Sequence, residues 1–88
     1  MRKYQPELKI YLRDFLLPFR RNLNLTQEQM AAMLRMTPRS YSDIERGKTC
    51  LSSVSLVFLL YHLSPDEGAQ LIDTFVDSLL ESEVKEAV

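Results

Sequence analysis

The chain has 88 residues, 45% of them hydrophobic, which is enough for one core and too little for two, since independent domains usually need about 100 residues each. Two glycines and four prolines are too few turn formers for a many-stranded sheet, so the composition points to an all-α protein. The formal net charge of −1 hides a polarity: residues 1–48 hold ten basic and five acidic side chains (+5), whereas residues 49–88 hold one basic and seven acidic ones (−6). A basic front on an acidic tail can orient a protein on a polyanion, although two solvated faces would look the same.

A lone cysteine, Cys50, allows no internal disulfide and fits a reducing compartment, so a cytoplasmic location is expected. The longest apolar run, around Val54 to Leu63, falls short of the ~18 apolar residues of a membrane span and carries Ser55 and His62. The N-terminus, with Arg2, Lys3, Glu7 and Lys9, lacks the apolar stretch of a signal peptide.

In chain order, Leu8, Leu12, Phe15, Leu16, Phe19 and Leu23 recur at spacings of three and four and predict a first helix from about Glu7 to Asn22. Pro18 removes the amide that would bond the Asp14 carbonyl, so a kink or break is expected there. Thr26 with Gln29 three residues on has the form of a capping box and opens a second helix, which buries Met30, Ala31, Met33 and Leu34 and stops near Arg35 to Met36. Thr37-Pro38 is an N-cap followed by proline at the first helical position, opening a short third helix that runs through Tyr41 and Ile44 to Arg46. Gly47 follows as the residue able to take positive φ.

Ser52 or Ser53 can cap a fourth helix, which is apolar nearly all round and therefore expected to be surrounded by others, with His62 packed. Ser64-Pro65-Asp66-Glu67 caps a fifth, carrying Leu71, Ile72, Phe75, Val76, Leu79, Leu80 and Val84. That stripe is wider than the ~100° a helix needs to cover a small bundle. The excess predicts either a lid or a dimerisation helix over 64–84, beyond a core of 7–63, with Phe75, Val76 and Leu79 as its main contacts. Residues 82–88 are expected to fray.

Two short helices joined by a turn of about four residues make a helix-turn-helix, whose second member can lie in a DNA major groove. The run Leu25-Thr26-Gln27-Glu28-Gln29-Met30-Ala31, together with Tyr41-Ser42-Asp43-Ile44-Glu45-Arg46-Gly47-Lys48, resembles the lambda-repressor-like, XRE-type helix-turn-helix family of phage and bacterial regulators. The resemblance covers about half the chain closely, with the first and fourth helices matching in pattern only and the fifth outside the shared core, and implies a lambda-repressor-like DNA-binding domain, here of five helices. It further implies a phosphate contact for Gln27, base readout by Pro38, Arg39, Ser42 and Asp43, and backbone contacts by Arg46 and Lys48. Arg20 and Glu45 match positions that form an ion pair tying the first helix to the end of the third.

The chemistry of the reading residues differs. Arg39 can hold guanine O6 and N7 bidentately, or pair with Asp43 one turn on. Asp43 can accept from a cytosine amine but repels phosphate. Ser42 suits either base type, and Pro38 offers only apolar contact, for example to a thymine methyl. Two departures from the family pattern stand out: Arg35 occupies the turn position where glycine is usual, and the proline common before the fourth helix is replaced by Ser52.

One histidine and one cysteine make no metal site, and no phosphate-cradling glycine loop or Ser/His/Asp set exists, so neither an enzyme nor a cofactor is expected. Met30, Met33 and Met36 are core filling. The sequence thus predicts a homodimeric regulator that binds double-stranded DNA, without a membrane or small-molecule partner. The alternative is an interaction module or antitoxin-like adaptor on the same fold, docking through the fifth helix.

Overall fold

A computed structural model describes residues 4–87, leaving out the side chains of residues 5, 82 and 84–87, so the expected place of Val84 in the apolar stripe lies outside the described side chains. The described residues are helical with no strand: α1 (Gln5–Asn22), α2 (Gln27–Met33), α3 (Pro38–Glu45), α4 (Ser53–His62) and α5 (Pro65–Ala87). The starts follow from local capping. Thr26 Oγ1 accepts from the Gln29 amide while Gln29 Oε1 accepts from the Thr26 amide, which completes the capping box of α2. Thr37 caps α3, Ser52 rather than Ser53 caps α4, and Ser64 with Glu67 caps α5 in the same reciprocal way.

The ends of α1, α2 and α3 share one closing motif. In each, the first residue past the cap turns left-handed, Asn24 at φ 57°, Arg35 at φ 61° and Gly47 at φ 77°. The next amide then reaches back five residues: Leu25 to the Arg20 carbonyl, Met36 to Ala31 and Lys48 to Asp43. Only glycine adopts this angle freely, so the Arg35 turn is strained. Its guanidinium compensates, donating to the Ala32 carbonyl at 2.8 Å and lying 4.7 Å above the centre of the Phe58 ring. Arg35→Ala keeps the strain and loses both contacts, so it should cost about 1 kcal/mol. Arg35→Gly exchanges the contacts for relief of a roughly equal strain and should stay within about 0.5 kcal/mol of the wild type. Chemical denaturation midpoints of the two variants check this.

The core takes Leu12 and Leu16 from α1, Met30, Ala31 and Leu34 from α2 and its cap, Tyr41 and Ile44 from α3, Leu59 and Leu63 from α4 and its cap, and Leu71 from α5. The buried Ser55 hydroxyl donates to the Leu34 carbonyl at 2.7 Å and ties α4 to the end of α2. α5 lies across α1: the Tyr11 hydroxyl donates to the Leu71 carbonyl, the Tyr11 and Phe75 rings sit 4.9 Å apart, and the Tyr4 hydroxyl donates to Glu83.

Three expectations are corrected. α1 continues through Pro18 without a break, because the proline removes a single bond in a helix held by buried Leu12 and Leu16 and by the stacked Phe15 and Phe19 rings. α4 is not surrounded: Val54, Val57 and Tyr61 are 61, 64 and 78% exposed, and His62 is exposed with its ring edge-on to Tyr61. α5 is helical through Ala87, against the fraying expected from residue 82, and residue 88 lies outside the described residues.

Candidate nucleic-acid interface

α3 is fixed by its two buried side chains. Tyr41 and Ile44 point into the core between α1 and α2, and this dictates what faces outward. Arg39, Ser42, Asp43 and Arg46 stand at relative positions 0, 3, 4 and 7, so they form one stripe on the opposite side of the helix. Together with Lys48 they line one open concavity. Pro38, Arg39, Arg46 and Lys48 are exposed, Ser42 and Asp43 half-buried. Among the described residues the only side-chain ion pairs are Arg13–Asp14 and Arg20–Glu45, so Arg39 and Asp43 are not paired with each other.

Beneath this face lies a buried polar cluster. Arg20 Nε donates to Glu45 Oε2 at 2.7 Å and its Nη2 to Oε1 at 3.1 Å, while Nη1 donates to the Leu25 carbonyl at 2.9 Å. The two side chains are only 15% and 6% exposed. Gln27, half-buried at the start of α2, also donates to Glu45 Oε1, at 2.9 Å. One amide hydrogen of Gln27 is thereby committed inside the protein and the other is not used by that bond. Glu45 therefore gathers α1, α2 and α3 at a single carboxylate.

Electrostatics follow from that packing. Burial favours the neutral acid at Glu45, but hydrogen bonds from Arg20, with the Tyr41 hydroxyl and the Gln27 amide alongside, outweigh it and hold the carboxyl below its ordinary value. The Tyr41 hydroxyl is buried beside the pair without a hydrogen bond of normal geometry, and burial together with the adjacent Glu45 carboxylate pushes its phenol well up. Arg20 is raised by its bonds to Glu45.

The helix-turn-helix family model matches residues 19–60, which run from the end of α1 through α2, the turn, α3 and most of α4. This segment belongs to the lambda-repressor-like helix-turn-helix family. The helix-turn-helix domain is thus of a DNA-binding regulatory family, and the all-helical fold agrees with it. No curated protein and no solved structure matches the chain.

The helix-turn-helix domain leaves the expected α5 contacts divided. Phe75 and Leu79 are half-buried, Phe75 against Tyr11, and Val76 is exposed. The exposed stripe is Ile72, Val76 and Leu80, at spacings of four. Ile72 and Leu80 belong to the apolar stripe read from the sequence, and they, not Phe75 and Leu79, share the exposed side of α5 with Val76. Ile72 also borders a small apolar cleft with Leu8, Leu56 and Leu60, which brings this side of α5 next to α4. Among the described residues no cluster of histidine, cysteine or acids can hold a metal ion, and no helix is long and apolar enough to cross a membrane.

Proposed function

We propose that the chain is a cytoplasmic transcriptional regulator that binds double-stranded DNA sequence-specifically, with α3 in the major groove. The observation that carries this reading is the stripe of Arg39, Ser42, Asp43 and Arg46 opposite the buried side of α3, a stripe with no ion-pair partner among the described residues. Side chains in this position meet base edges when a recognition helix enters the groove. Pro38, Arg39, Ser42 and Asp43 take the base edges, while Arg46, Lys48 and the free amide hydrogen of Gln27 take phosphates. The Arg20–Glu45 pair sets the angle at which α3 is presented. The chain works as one domain, with α5 closing the core on one side and pairing protomers through the other.

Binding to random and genomic duplexes at two salt concentrations tests the reading, because phosphate neutralisation makes affinity fall steeply with salt. Lys48→Ala should weaken binding to all sequences alike and lower the salt slope by about one unit. Unchanged binding would remove Lys48 from the DNA face.

The exposed apolar side chains of α4 and α5 favour a second reading, an interaction module whose partner covers Val54, Val57, Tyr61 and the α5 stripe. No duplex binding at low salt would select it.

A further inference from the structure

We infer that the half-site under α3 contains two G·C base pairs about two steps apart, one read on its guanine by Arg39 and the other on its cytosine by Asp43. This rests on the DNA-binding reading above and adds the base identities, with Asp43 as a specificity-determining residue.

The stripe on α3 runs cation, hydroxyl and acid, cation: Arg39 at one end, Ser42 and Asp43 in the middle, and Arg46 followed by Lys48 at the other. An acid inside a phosphate-facing row is repelled wherever it meets the backbone. Asp43 has no ion-pair partner among the described residues to neutralise it, so the middle of the row must lie over base edges. A carboxylate only accepts hydrogen bonds. The major groove offers two kinds of donor, the N4 amine of cytosine and the N6 amine of adenine. The adenine amine lies between two acceptors, its own N7 and O4 of the paired thymine, both of which repel a carboxylate. The cytosine amine has an acceptor on one side only, O6 of the paired guanine, so Asp43 selects cytosine.

Arg39 has the opposite requirement. Its guanidinium only donates, is unpaired among the described residues, and sits at the N-terminal end of α3, the end that meets base edges in a helix-turn-helix. Guanine is the base that presents two adjacent acceptors, O6 and N7. Four residues separate Arg39 from Asp43, a rise of about 6 Å along the helix. Base pairs stack at about 3.4 Å, so the two contacts fall about two steps apart.

The test is selection of duplexes from a random pool by the full chain, with Arg39→Ala, Asp43→Ala and Asp43→Asn alongside and thermal melts to show that each variant is folded. The wild type should enrich two G·C pairs per half-site. Arg39→Ala should lose the preference at one of them and bind the selected site roughly 5- to 150-fold more weakly. Asp43→Ala should release the other position while binding random duplex at least as well as the wild type. Asp43→Asn should turn that position from cytosine toward adenine, whose N6 and N7 an amide holds bidentately. An unaltered motif in both Asp43 variants would overturn the inference, as would an equal loss of binding to every sequence. Duplex binding without any enriched motif would overturn it while leaving DNA binding intact. Absence of duplex binding by the wild type would overturn both.

Discussion

Glu45→Ala should lower the unfolding free energy by about 3–5 kcal/mol, the penalty expected when one partner of a buried pair is removed and the other is left charged. Four donors lose their acceptor or neighbour at once: Arg20 Nε and Nη2, the Gln27 amide, and the buried Tyr41 hydroxyl beside them. A domain of this size is stable by only about 5–15 kcal/mol, so the loss is a large part of the whole. Arg20→Ala should cost a similar amount and release the Leu25 carbonyl as well. Glu45→Gln keeps the shape and loses the charge, and should fall between the wild type and Glu45→Ala. Urea denaturation at neutral pH measures all three, and a loss below about 1 kcal/mol for Glu45→Ala would place the pair with ordinary surface bridges.

The same pair makes a pH-dependent contribution of known sign. The Glu45 carboxyl is held below its ordinary value in the folded chain, so its share of stability is complete above the ordinary carboxylate value, reached in the unfolded chain. That share disappears as pH falls through the lower folded value. Acid titration of the wild type should therefore show a loss of stability beginning at the ordinary carboxylate range, and Glu45→Gln should lack that part of it.

The second large effect is expected at α5. Val76→Asp combined with Leu80→Asp should convert the proposed dimer into a monomer and weaken binding to a two-half-site duplex by at least about 100-fold, because linked half-site contacts gain about 10²–10⁴ in avidity. Both side chains are exposed in the single chain, so the variant should still melt cooperatively as a folded monomer, below the wild type only by the stability that pairing adds. Phe75→Asp is the contrasting variant: Phe75 packs against Tyr11, and a carboxylate there should destabilise the fold itself. Sedimentation equilibrium of the wild type at micromolar concentration, with and without DNA, decides the proposal. A monomer in both conditions would leave α5 as a lid over α1.

Most of the helix starts could be read from the chain because capping is local. Thr26 with Gln29, Thr37 with Pro38 and Ser64 with Glu67 act over three residues or fewer, and the structure keeps all of them. The row of Arg39, Ser42, Asp43 and Arg46 was equally legible, since helical period and two apolar residues define which side of α3 faces out. The residue that closes each helix was less so: glycine at 47 announces a left-handed turn, whereas Arg35 adopts one because Phe58, 23 positions later, lies under its guanidinium. Likewise Pro18 weakens α1 locally, and only the packing of the helix keeps it continuous. Gln27 looked free to meet phosphate until Glu45, 18 residues away, took one of its hydrogens. The apolar content of α4 and α5 was plain in the sequence, but periodicity reports which residues are apolar and not how many neighbours arrive to cover them. Tertiary packing covers one side of each helix, and that contact, made across long sequence separations, decided which apolar side chains stay in water.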